Sequence, residues 1–153
     1  MRRLGEALGG VALAALAADH AGDTVLGTLE PWNFDPLVFA RTLVAPAIPE
    51  ELFWRVFLRP GPRLFSPRSL SINAAFAVSH VATAEMLAPL RPGAVRVFRD
   101  PAFLSLAFVL GIACTHAHLT TRTLAAPVLV HAAAVSVWLS CWGGDVRLMT
   151  PPS

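Results

Sequence analysis

Apolar residues run along this chain in five blocks: Leu4 to Ala18, Pro36 to Leu58, Leu70 to Leu90, Ala102 to His118 and Leu124 to Trp142. No block alternates with a period of two, and each is rich in Ala, Leu, Val and Phe, so helix is a better reading than buried strand. Crossing a bilayer core takes about 20 helical residues, and the last four blocks approach that length. Charge agrees. Only 14% of the 153 residues are charged and 55% are apolar, against roughly 25% charged in a soluble domain. In lipid the backbone must satisfy its own hydrogen bonds, which helices do. The chain therefore reads as all-α, a polytopic transmembrane helix bundle: an integral membrane protein with several passes.

Residues 1–35 read as a short N-terminal helix or a signal-like segment, followed by a loop. The first block follows Arg2 and Arg3 and ends in small residues, as a signal peptide does; a retained short helix is the preferred reading. Residues 36–142 form a four-helix core. Within it, Pro46 and Pro49 are expected to kink or split the first core helix. Residues 143–153, "GGDVRLMTPPS", read as a polar, disordered tail. The net charge of +2 comes from scattered Arg with no basic block, which excludes a nucleic-acid footprint. An N-terminus inside would place Arg2, Arg3, Arg59, Arg63, Arg68 and Arg122 on the inner side and Arg91, Arg96, Arg99 and Arg147 on the outer, a weak preference for that orientation. Cys114 and Cys141, each in an apolar block, read as small buried hydrophobes.

Charged and titratable groups inside membrane helices are costly and mark function by default. Here they are Arg41, Glu50, Glu51, Arg55, His80, Glu85, His116, His118 and His131. Glu51 and Arg55 are four apart and share a helix face, so they can pair. Glu50 lies about 140° round the helix from Arg55, which leaves its carboxylate free to hold a water. Depth suggests neighbours for it. Glu50 lies about eight residues before Leu58, His80 about ten after Leu70 and His131 about seven after Leu124. At 1.5 Å per residue the three sit roughly 10 to 15 Å below one surface. A carboxylate and two imidazoles at matched depth can bind and activate a water, with or without a metal. Each also has a bland reading: Glu and Arg at an interfacial helix end, or a lone packing histidine. His116, His118 and Glu85 read as interfacial, and Arg41 as snorkelling or paired within the bundle.

Taken together, Glu50-Glu51-x-x-x-Arg55, Phe76-x-x-x-His80, a helix with Gly111 and a last helix with His131 resemble the CPBP family of intramembrane proteases. That family includes the CAAX prenyl endopeptidases and bacteriocin-processing or immunity proteins. The resemblance covers about residues 37 to 142. It implies that Glu50 is the general base, with Glu51 and Arg55 as its supporting pair. It also implies that His80 and His131 orient water or stabilise an oxyanion; if a metal is used, zinc being the candidate, Glu50, His80 and His131 are its ligands. The partners implied are the lipid bilayer and a membrane-anchored peptide or protein substrate, with no nucleic acid.

Two departures bear on activity. The family's last motif is usually HxxxN, and the Asn position here is Val135. Loss of an oxyanion donor typically costs about 10² to 10³ in rate, unless Ser136 or Thr115 substitutes. Trp54 also stands where a Phe often precedes the motif Arg. The expected function is thus an intramembrane endopeptidase with a Glu-activated water. Its rivals are a catalytically weakened or inactive membrane scaffold or immunity-type relative, and a small transporter with a His/Glu proton path.

Overall fold

A computed structural model describes residues 35–151; the N-terminal block and most of the loop after it lie outside the described residues. Everything described is helix or short connection. Helix α1, Pro36–Thr42, starts on Asp35, whose carboxylate accepts from the Leu37 N–H at 2.8 Å. It runs into a wide π-helical turn, Leu43–Ala47, where Ala45 leaves helical geometry. The cause is Pro46, whose ring disfavours the α conformation in the residue before it. The helix resumes as α2, Ile48–Glu51, with Pro49 in its first turn, where a missing N–H costs nothing. A second π-helical turn, Leu52–Phe57, carries Arg55. The expected split at the prolines is therefore present.

Helix α3, Pro67–Leu87, begins three residues earlier than expected, because Ser66 and Pro67 supply a cap and a first-turn proline. The segment expected to be a plain loop holds a short helix, α4, Ala94–Phe98. Helix α5, Pro101–Thr121, is capped by Asp100 and closed by Arg122 in the left-handed region. Helix α6, Ala125–Cys141, ends at Gly143, also left-handed. The tail is not disordered through residue 151, contrary to expectation. Gly144–Met149 forms α7, which packs on α4 and α6 and buries Leu148 with Ala84, Ala94, Val97 and Phe98. Gly93 makes this approach possible, since a Cβ there would lie 1.9 Å from the Arg147 carbonyl oxygen. Composition misleads here because four apolar side chains on α3 and α4 supply the burial that the tail itself lacks.

Short connections make α3, α5 and α6 successively antiparallel. Helix α3 packs on α5, α5 on α6, and α6 on α1 and the first π-helical turn. At 21 residues each, α3 and α5 are long and apolar enough to cross a membrane. Only 28% and 33% of their most apolar windows are buried inside the molecule, so most of their apolar surface faces outward. Polarity is inverted to match: Phe57 is 76% and Met86 79% exposed, whereas Glu51, Arg55, Asn73 and His131 are 1% exposed or less. A polytopic helical bundle is the architecture that this arrangement describes.

Candidate active site

The buried polar residues form one chain of hydrogen bonds. Glu51 sits at the end of α2, and both of its carboxylate oxygens are used. Oε2 accepts from Arg55 Nε at 2.8 Å, and Oε1 meets His131 Nδ1 at 2.9 Å. Arg55 then reaches across the bundle, donating to Asn73 Oδ1 on α3 at 3.0 Å and to the Gly111 carbonyl on α5 at 3.1 Å. Thr115 Oγ1 donates to the same Asn73 oxygen at 3.0 Å. Four helical segments are tied together in this way. A buried guanidinium is tolerable because each of its nitrogens has an acceptor.

Gly111 makes the crossing possible. A Cβ there would lie 3.0 Å from Asn73 Oδ1 and 3.1 Å from the Phe76 ring. Phe76, fully buried, is the apolar hub. Its ring meets His80 edge-on at 5.1 Å, His131 at 5.8 Å and Trp54 at 5.8 Å, with the Arg55 guanidinium 5.8 Å from its centre. Phe98 and Phe103 enclose His80 further.

Glu50, next to this network, takes no part in its hydrogen bonds. It is half-buried, and its Oε2 has no solvent exposure and no hydrogen-bond partner among the described residues. His131 and His80 lie within electrostatic range of its carboxyl. The two histidines are held alike. His80 Nδ1 is 3.0 Å from the Phe76 carbonyl oxygen, and His131 Nδ1 faces Glu51. A carbonyl or a carboxylate can only accept, so Nδ1 carries the proton in both rings and Nε2 is the nitrogen left for chemistry.

Of the residues expected from sequence, Glu51, Arg55 and His131 are brought into direct contact, with Glu50 and His80 alongside. Three expectations need correction. His131 binds Glu51 directly, so it supports the acid pair as well as facing Glu50. Second, α3 begins at Pro67, so His80 lies thirteen residues into its helix and not ten, yet it remains within electrostatic range of Glu50. Asn73 lies six residues into α3, as His131 is six into α6 and Thr115 six from the end of α5. Third, neither stand-in donor for Val135 is free. Thr115 donates to Asn73, and Ser136 donates to the Ala132 carbonyl and shares a 2.6 Å contact with Thr42 Oγ1.

Sequence reasoning missed Asn73, whose signal was an amide on the Phe76–His80 face of an apolar helix. Its Nδ2 is buried with no partner among the described residues. Outside the network, Glu85 pairs with Arg99, Arg41 is exposed, and His118 binds the Thr123 carbonyl.

A metal fits poorly. Among the described residues, the group whose ligand atoms all lie within 4.8 Å of one another is Glu51, Cys114 and His131, not Glu50, His80 and His131. Glu51 has already committed both oxygens, one of them to a guanidinium, so a cation there would face Arg55 at hydrogen-bond range.

Fold and site together define a helical bundle built around a buried Glu–Arg–His network. A family model described as type II CAAX prenyl endopeptidase Rce1-like matches residues 31–137, and the chain belongs to that family. The family is one of membrane-embedded proteases that act on membrane-associated protein substrates. No curated protein and no solved structure matches the chain.

Proposed function

We propose that this protein is a multi-pass intramembrane endopeptidase whose Glu50 activates a water for attack on a peptide bond. The observation that carries the reading is the buried Glu50 oxygen with no partner among the described residues, beside two histidines that each keep Nε2 available. Glu50 takes a proton from the water, the resulting hydroxide adds to the scissile carbonyl carbon, and the C–N bond breaks as the proton passes to the leaving amine. Glu51 and Arg55 do not touch the substrate. They hold the His131 ring and its tautomer. The family description makes a prenylated C-terminal CAAX tail the first substrate to test.

The test is cleavage of a membrane-anchored peptide in proteoliposomes. Glu50→Ala and His80→Ala should each abolish it, and full activity in either variant rejects the mechanism.

One observation favours a second reading, a weakened or inactive relative that keeps the network for stability. Val135 offers no donor, and Ser136 and Thr115 are both committed. Val135→Asn separates the two. An enzyme short of one oxyanion donor gains up to about 10²-fold, whereas an inactive scaffold gains nothing.

A further inference from the structure

The charges of the bundle are distributed unequally between its two ends. No Asp or Glu occurs between Glu51 and Glu85 or between Asp100 and Asp145. Among the described residues, the end built from the second π-helical turn, the loop to α3 and the α5–α6 connection therefore carries Arg59, Arg63, Arg68 and Arg122 with no acid. At the opposite end, Arg91 pairs with Asp145 and Arg99 with Glu85. The unbalanced end holds a cleft of about 290 Å³, lined by Arg55, Val56, Arg59, Pro60, His118 and Leu119. Arg55 has spent a donor from each nitrogen inside the bundle. Arg59 has not: among the described residues its side chain makes one hydrogen bond, Nε to the Val56 carbonyl at 3.2 Å. His118 gives Nδ1 to the Thr123 carbonyl and keeps Nε2.

We infer that this cleft binds the phosphate of an anionic phospholipid headgroup, with Arg59 as the principal contact and His118 beside it. A guanidinium with unused parallel donors suits phosphate oxygens, and basic pockets between membrane helices bind lipid headgroups in this way. Two features at the same end favour a lipid over a free phosphate. Phe57 and Phe65, 76% and 71% exposed, present rings to an acyl chain, and Leu119 and Val56 give the cleft apolar walls. The proposal rests on residence in a membrane and not on peptidase activity.

The test uses the full chain in nanodiscs of equimolar phosphatidylcholine and phosphatidylglycerol, released into mild detergent, with retained lipids counted by mass spectrometry. Wild-type protein should retain phosphatidylglycerol preferentially. Arg59→Gln, which bears the same left-handed backbone as Arg59 itself, should lower that retention roughly fivefold, the effect of one cation near a lipid surface, and adding His118→Ala should lower it further. Arg96→Gln removes one charge from the opposite end and should change nothing. Circular dichroism checks the fold, and His118→Ala alone gives a second readout should Arg59→Gln misfold. Enrichment that survives the double substitution overturns the proposal, as does equal loss in Arg96→Gln. Inorganic phosphate bound with the same Arg59 dependence, in place of lipid, reassigns the cleft to a free anion and overturns it too. A protein that leaves membranes on an alkaline carbonate wash instead fails the membrane reading.

Discussion

Arg55 and Glu51 are each 1% exposed or less, and they are joined at 2.8 Å. Removing one member of such a pair leaves a buried charge uncompensated, at a cost of about 3–5 kcal/mol. Arg55→Met also strips an acceptor's partner from Asn73 and from the Gly111 carbonyl, so its cost falls at the upper end of that range. Glu51→Leu leaves the guanidinium two other acceptors but releases His131, and falls at the lower end. The double variant removes both charges and fills the space with apolar side chains of similar volume, which is often nearly neutral for a buried pair. The singles should therefore be strongly non-additive, with a coupling that approaches the sum of the two single losses and lies far above the roughly 0.5 kcal/mol scatter of independent sites. The assay is equilibrium unfolding of all four proteins in mixed detergent micelles. Single losses that sum to the double within about 0.5 kcal/mol would refute the claim that the two charges form a unit.

Gly111→Ala should destabilise by about 1–3 kcal/mol through overpacking, because its Cβ lands 3.0 Å from Asn73 Oδ1 and 3.1 Å from Phe76; thermal unfolding in detergent checks this, and an unchanged midpoint contradicts it. Thr115→Val removes one of two donors to Asn73 Oδ1 while Arg55 remains, so its cost should be near 1 kcal/mol, read by the same melt.

The network's local half was legible and its long-range half was not. Glu51 and Arg55 are four apart, and helix geometry alone pairs them. His131 is eighty residues from Glu51, and only the packing of α6 against α2 brings them together. Asn73 and Thr115 carry no charge, so a search for charges in apolar helices passes over them, although they meet at the depth where the network crosses the bundle. Ser66 and Pro67 begin α3 a turn earlier than hydropathy alone indicates, while His80 still lies within electrostatic range of Glu50. Pro46 and Pro49 announced a break, whereas the π-helical turns around Glu51 and Arg55 left no mark in hydropathy. The tail became helical through contacts with α4 that its own composition does not announce.

The central claim divides the adjacent acids: Glu50 performs chemistry and Glu51 holds the structure. Glu50→Gln is the most direct measurement, with cleavage of a membrane-anchored peptide and unfolding followed on the same preparation. Loss of a general base predicts a fall in cleavage of about 10²–10⁴, with stability kept within about 0.5 kcal/mol, because the buried Glu50 oxygen has no partner among the described residues to lose. Retained cleavage, or a loss of stability equal to that of Glu51→Leu, would contradict it.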